Sequence, residues 1–253
     1  MAESTSVLQS FGDGAKVVVI GASGGIGSAL VDRLLQDDSV AAIAACSRRG
    51  IRQDHPKLHD HHLDLEDEGT IAAAAGSIGD RLGDLDLVIV ATGLLHDGDD
   101  LRPEKTWRTL DARQMERVYR INTIGPALIA KHFLPLLARD RRSVFAALSA
   151  RVGSIGDNQL GGWHAYRASK AALNMLIRNF AIELKRRTPE AICVGLHPGT
   201  VDTGLSEPFQ GNVPEGKLFS PAFVAGRLLD VIDGVKMSDS GRQIAWDGQT
   251  VPY

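Results

Sequence analysis

Cysteine is scarce in this chain. Only Cys46 and Cys193 stand among 253 residues, each inside an apolar run, so buried thiols are expected rather than a disulfide or a nucleophile. That usage suits a reducing cytoplasm. Long apolar stretches are missing too, and none approaches the roughly 18 residues of a membrane span. The opening MAESTSVLQS lacks a basic region followed by an apolar one, so no secretory leader is expected. Nor is there an excess of one charge. Lys and Arg number 28 against 31 Asp and Glu, a formal net charge of −3, and basic residues gather only in short clusters such as Arg139, Arg141 and Arg142. Nucleic acid and membrane are therefore not expected partners, and a cytoplasmic protein acting on a small molecule is.

What is present is a rhythm. β-rich runs at Lys16 to Ile20, Ala41 to Cys46, Leu58 to Leu65, Leu87 to Ala91, Ser143 to Ser149, Ala191 to Leu196 and Arg242 to Ala245 predict seven strands. Segments of about 20 to 50 residues join them, long enough for helical crossovers, which points to a parallel α/β sheet covered on both faces. Helices are expected near Gly25 to Gln36, Glu66 to Ile78, Ala112 to Ala138, Tyr166 to Arg187 and Pro221 to Asp233. Asp111 and Gln114 have capping-box spacing at the start of the third. No linker interrupts the alternation, so one domain over 1–253 is expected.

The segment KVVVIGASGGIGSAL is an apolar strand, a glycine turn and a helix start. Gly21, Gly25 and Gly27 permit a tight turn, let backbone N–H groups approach a pyrophosphate and allow the helix to pack closely on the strand. An NAD enzyme places an acid on the ribose 2′-hydroxyl about 20 residues beyond the last glycine. Here stand Cys46, Ser47, Arg48 and Arg49 instead. A hydroxyl and guanidinium groups suit a 2′-phosphate, so NADP is expected in preference to NAD, with a solvated basic loop as the alternative for Arg49.

Tyr166 and Lys170 are four residues apart and share one helix face. An ammonium beside a phenol favours the phenolate, which makes the pair suited to exchanging a proton with an alcohol or carbonyl oxygen. Upstream, Pro126 has no N–H to give the carbonyl of Asn122, freeing that carbonyl for water, or simply kinking the helix.

With these pieces together, the chain resembles the short-chain dehydrogenase/reductase family over nearly its whole length. The residues that carry the likeness are GASGGIG, LDL at Leu63 to Leu65, VATG at Val90 to Gly93, INTIGP at Ile121 to Pro126, YRASKAALN from Tyr166, and HPGTVDT at His197 to Thr203. SARVGSIGDNQLGGW and IAWDGQ are similar to the C-factor branch of its carbonyl-reductase-like members. The resemblance implies a doubly wound Rossmann-type sheet in the order 3-2-1-4-5-6-7 and NAD(P)-linked oxidoreduction of a carbonyl or secondary alcohol. Carried over residue by residue, it implies that Gly21, Ser23, Gly24, Gly25, Ile26 and Gly27 meet the pyrophosphate, and that Ser47 and Arg48 hold the 2′-phosphate. Asp64 and Leu65 would meet the adenine, Ala91, Thr92 and Gly93 the adenosine ribose side, and Pro198, Gly199, Val201 and Thr203 the nicotinamide. Tyr166 would be the acid–base group. Lys170 would also hold the nicotinamide ribose hydroxyls, and Asn122 a water linking Lys170 to solvent. A homodimer or homotetramer through the helices at Ala112 and Tyr166 is implied, with a monomer left open.

The chain departs from the family where a serine pair follows the fifth strand. If Gly153 marks the family's glycine, the second serine's place is Ala150, and Ser149, Ser154 or neither serves the substrate oxygen. Ser149 is the expected catalytic serine, although a one-residue slip along a strand reverses the face. Losing one such donor slows a reaction about 10²- to 10³-fold. A cofactor-binding signalling or regulatory protein with vestigial catalysis is therefore the alternative to an oxidoreductase. Substrate contacts are expected from the loops 94–105, 153–164 and 204–220, the last an apolar lid; Trp163 lines the mouth or packs beneath it. His55, His59, His61 and His62 with Asp60 and Asp64 lack a helical H-E-x-x-H frame, so no metal is expected.

Overall fold

The computed structural model describes residues 6–51 and 53–253, which leaves the first five residues of the amino-terminal stretch outside the description. Its main sheet has eight strands in the order β3-β2-β1-β4-β5-β6-β9-β10: β1 (Ala15–Ile20), β2 (Val40–Ser47), β3 (Leu58–His62), β4 (Leu87–Val90), β5 (Ser143–Leu148), β6 (Ala191–His197), β9 (Gln243–Ala245) and β10 (Thr250–Val251). All pairings are parallel except that of β10 with β9. The expected order of seven strands is present, and β10 extends it by an antiparallel eighth. A separate ladder joins β7 (Thr200–Val201) to β8 (Leu218–Phe219).

Helices cover both faces: α1 (Gly25–Leu35), α2 (Glu68–Leu82), α3 (Ala112–Tyr119), α4 (Gly125–Phe133), α5 (His164–Arg187) and α6 (Pro221–Gly234). The strands' period of two divides the core. Val17, Val19, Ile43 and Ile89 pack with Leu30 and Leu34 of α1 and Leu228 and Ile232 of α6. Val18, Ile20, Ala44 and Val88 pack on the other side with Ile71 of α2, Phe133 of α4 and Leu173 and Ile177 of α5. Each fully buried Val, Leu or Ile side chain contributes about 1.5–3 kcal/mol. Both cysteines are buried thiols, pushed up by desolvation, Cys46 to about 12.

Two expected elements are corrected. The third strand ends at His62 instead of Leu65, because Asp64 turns the chain: its N–H donates to Thr70 Oγ1 at 2.9 Å and its Oδ1 accepts from Glu66 N at 3.0 Å. The helix starting at Ala112, capped by Asp111 on Gln114 N–H at 2.9 Å as its spacing predicts, is not continuous to Ala138. A π-helical turn occupies Arg120–Ile124, α4 stops at Phe133, and a 3-10 turn with Pro135 follows. Pro126 lacks the N–H that regular α-helix geometry needs, and a π turn absorbs the mismatch.

Two arginines of the basic cluster, Arg141 and Arg142, are structural. Arg141 Nε donates to buried Asp86 at 2.7 Å, and Arg142 serves the terminal carbonyls of α6 at Ile232, Asp233 and Val235. The four histidines lie on β3 and the loop before it, and among the described residues they form no ligating group. Among those residues no helix is long and apolar enough to cross a membrane.

Candidate active site

The glycine turn sits at the carboxyl end of β1, where crossovers on opposite faces of the sheet leave a crevice. Gly21 has φ of 84°, and a Cβ there would lie 2.8 Å from Thr92 Cγ2 and 2.9 Å from the Ala91 carbonyl oxygen. A Cβ on Gly27 would lie 2.1 Å from Gly21 O, and one on Gly25 2.6 Å from Thr203 Cγ2. The turn is thus wedged between the ends of β4 and β7, and no larger residue fits. Ser23, Gly24 and Gly25 are exposed, Ile26 tucks against the core, and Gly24 caps α1 without a side-chain bond. The first-turn N–H groups of α1 are therefore open to an anion.

At the end of β2 the Ser47 hydroxyl is buried without a protein partner, and Arg48 and Arg49 beside it are exposed. Thr92 Oγ1, next to the glycine turn, is a second buried oxygen without one. Buried hydroxyls are normally hydrogen-bonded, and the protein leaves these two, at the carboxyl ends of β2 and β4, unsatisfied. Leu65 is buried against Gly125, beyond the Asp64 turn.

Tyr166 lies two residues inside the start of α5, and Lys170 follows one turn later with its ammonium 5.9 Å from the Tyr166 ring centroid. Lys170 Nζ donates to the Leu148 carbonyl at 2.8 Å. Burial pushes Tyr166 up to about 12 and Lys170 down to about 8, so each is driven toward its neutral form. The sequence-based expectation of a lysine that lowers the tyrosine pKa meets an opposing effect of desolvation here.

Asn122 is wholly buried in the π turn. Its Oδ1 accepts from Leu94 N–H at 2.8 Å, and its Nδ2 donates to Leu94 O at 2.8 Å and to Ser169 Oγ at 3.1 Å. Thr123 Oγ1 donates to Ser169 O at 2.8 Å. The side chain of Asn122 thus clamps the loop after β4 to α5, a role distinct from that of its carbonyl and one that sequence spacing did not indicate. A Cβ placed on Gly93 would meet Leu205 Cδ1 at 3.5 Å and both Asn122 Oδ1 and Lys170 Nζ at 3.8 Å, so these groups converge on one point at the mouth.

The two candidate serines are bonded differently. Ser149 Oγ donates to Asn174 Oδ1 at 2.7 Å, and Ser154 Oγ accepts from Asp157 N–H at 3.1 Å. Ala150 follows with extended backbone, φ −150° and ψ 145°, which turns its side chain to the face opposite that of Ser149. Beside it, His197 Nδ1 accepts from Arg151 N–H at 3.3 Å, and burial pushes the ring down to about 4.

The apolar lid is held at its root by the β7–β8 ladder, and Gly199 at φ 77° lets the chain pass Phe219 and Trp246. Pro198, Val201 and Thr203 lie on this same segment. Phe209 of the lid meets Trp163 edge-on at 5.0 Å and His96 at 5.7 Å; Trp163 in turn meets Tyr166 at 6.3 Å. His96 Nε2 is 2.7 Å from Gly204 O. Trp163 thus packs between Tyr166 and the 204–220 loop. The latch between His96 and the lid was not foreseen, since nothing in either loop's composition pairs it with the other.

The sequence pattern of short chain dehydrogenases matches residues 15–213. This chain belongs to that family. Among dehydrogenases similar to it is 1-hydroxy-2-glutathionyl-2-methyl-3-butene dehydrogenase of Rhodococcus sp. strain AD45, 31% identical over 92% of this chain and 96% of that one. C-signal of Myxococcus xanthus is 37% identical over 57% of this chain and 81% of its own length. Of solved structures, the NADPH-bound carbonyl reductase from chicken fatty liver is 30% identical with a TM-score of 0.83, covering 95% of this short-chain dehydrogenase and all of its own chain.

Proposed function

We propose that this short-chain dehydrogenase is an NADP(H)-dependent carbonyl reductase, with Tyr166 as the proton donor to the substrate oxygen. The observation that carries the cofactor assignment is the Ser47 hydroxyl, buried without a protein partner, beside exposed Arg48 and with no carboxylate at the end of β2. The likeness to an NADPH-bound carbonyl reductase supports it. Gly21, Ser23, Gly24, Gly25, Ile26 and Gly27 would hold the pyrophosphate, Ser47 and Arg48 the 2′-phosphate, Asp64 and Leu65 the adenine, and Ala91, Thr92 and Gly93 the ribose. Pro198, Gly199, Val201 and Thr203 would hold the nicotinamide. When bound, the cofactor supplies the hydride.

The chain supplies position and a proton. Tyr166, neutral because it is buried, gives its hydroxyl proton to the carbonyl oxygen as negative charge develops there. Lys170, its ammonium 5.9 Å from the Tyr166 ring centroid, and Asn122 converge on Gly93 at the end of β4. Leu205, Phe209 and Trp163 exclude water from the mouth. Ser149 gives its proton to Asn174 and Ala150 has none, whereas Ser154 Oγ accepts from Asp157 N–H and keeps its own proton, so of these residues Ser154 is the one left to serve the substrate oxygen. The substrate is a small carbonyl compound, and the whole chain is one working unit.

Titrating NADPH and NADH and following absorbance with a panel of aldehydes and ketones tests this. Tyr166→Phe should bind NADPH normally and reduce carbonyls about 10²- to 10⁴-fold more slowly. Turnover indifferent to that substitution, or tighter binding of NADH, refutes it. A second reading, an NADP-binding regulatory protein with vestigial catalysis, is favoured by Ala150 and by the likeness to C-signal. It would bind NADPH and leave the whole panel untouched.

A further inference from the structure

The chain enters the catalytic helix by a constrained path. Gly161, Gly162 and Trp163 have φ of 63°, 65° and 48°, three left-handed residues in a row, and no other non-glycine among the described residues has positive φ. For a residue as bulky as tryptophan this conformation costs about 1–3 kcal/mol and persists only where its surroundings hold it. Helix α5 begins at His164 without a bond from the side chain before it, so its first N–H groups need acceptors from elsewhere.

Glu104 provides two of them. Its carbonyl oxygen accepts from Trp163 N–H at 2.5 Å, and its carboxylate Oε2 accepts from Ala165 N–H at 3.2 Å. The residue comes from the loop after β4, whose polar neighbours Asp97, Asp99, Asp100, Arg102 and Lys105 are all exposed, yet it is itself only 5% exposed. Its other carboxylate oxygen, Oε1, is buried without a protein partner. Glu104, Ala165 and Tyr166 line one cavity of about 10 Å³, near the least space that holds a water. Burying a carboxylate is unfavourable unless something compensates, and the positive end of α5 does so. A serine or asparagine just before the helix would have capped it equally well. What a local cap cannot do is tie the substrate loop to the helix.

We infer that Glu104 is a positioning residue for Tyr166: strapped across the start of α5, it holds Trp163 in its left-handed conformation and fixes the turn that carries the tyrosine. The role rests on the proposed function of Tyr166 as proton donor. Tyr166 follows Ala165 directly, and Trp163 contacts both Tyr166 and the lid's Phe209, so a loosened strap displaces the proton donor and the mouth together.

Glu104→Ala and Glu104→Gln, compared with the unmodified chain, test the inference through kcat for carbonyl reduction, NADPH affinity and hydrogen–deuterium exchange over residues 161–168. Glu104→Ala is expected to lower kcat about 10- to 100-fold, since small misplacements of a reacting group have effects of that size. NADPH affinity should hold, because the glycine turn belongs to β1 and α1, and amide exchange at 165–166 should speed up, while Trp163 N–H keeps its main-chain acceptor. Glu104→Gln keeps an acceptor oxygen and should restore most of both. Where the alanine variant does not fold, Glu104→Asp, one methylene too short to reach Ala165, takes its place with the same expectation. An unchanged kcat overturns the inference, as does a slowed variant whose exchange at 165–166 is unaltered, or a glutamine variant as impaired as the alanine one. If the unmodified chain reduces no carbonyl, the proposed function falls, while the exchange comparison still decides whether Glu104 straps the helix.

Discussion

The Ser149 hydroxyl is bonded to Asn174 Oδ1, one turn of α5 beyond Lys170, and Asn174 Nδ2 passes the connection to Gln243 Oε1 at 3.0 Å. The three residues are buried and tie β5, α5 and β9 together. Removing the hydroxyl leaves an acceptor unpaired in the core, which costs about 1–3 kcal/mol. Ser149→Ala should therefore show its larger effect in Tm, read by thermal melts. A loss in kcat of about 10²-fold with Tm unchanged would instead place Ser149 on the substrate oxygen.

Ala150 occupies the opposite face of the same extended segment. Ala150→Ser would add a hydroxyl where the family has its second serine, and steady-state reduction of the best carbonyl in the panel should accelerate, by up to about 10²-fold. No acceleration would mean that the mouth already satisfies the substrate oxygen by other donors.

Arg48→Ala removes an exposed guanidinium beside the orphaned Ser47 hydroxyl. A hydrogen bond to a charged group contributes about 1.5–3 kcal/mol, so KM for NADPH should rise roughly 10- to 100-fold while that for NADH stays as it was. The readout is the ratio of kcat/KM for the two cofactors.

Lys170 carries a signature in stability against pH. Its pKa falls from 10.5 to about 8 on burial, so between those values the unfolded chain binds the extra proton. Stability gained from this group therefore rises as pH increases from about 8 to 10.5, and the penalty is complete below that window. Lys170→Met removes the effect. The difference in unfolding free energy between variant and unmodified chain, measured by denaturant titration without cofactor, should shift against the variant by about 3 kcal/mol across the window. Tyr166, raised from 10.0 to about 12, works the other way: the native state keeps a proton the unfolded chain loses, so stability declines above pH 10 in both proteins. A flat difference would mean that Lys170 is solvated in the native state.

Seven strands of the sheet, the glycine turn and the spacing of Tyr166 and Lys170 on one helix were legible in the residues alone. Each is a local regularity: short apolar runs for the strands, positive φ at Gly21 and close approach at Gly21 and Gly27, and spacing of four on one helix. Local rules also located Asp111 as a cap and the disturbance at Pro126. They failed at the end of β3, where a side chain six residues ahead, Thr70, takes the Asp64 N–H. Only the tertiary structure decided what the serine hydroxyl at 149 bonds, that the side chain of Asn122 clamps Leu94 to Ser169, and that Glu104 reaches the start of α5. These contacts join segments 25 to 61 residues apart. Which polar group faces which across such a distance is set by strand order, by the face each residue takes and by which hydroxyls and carboxylates the closing core leaves to be satisfied.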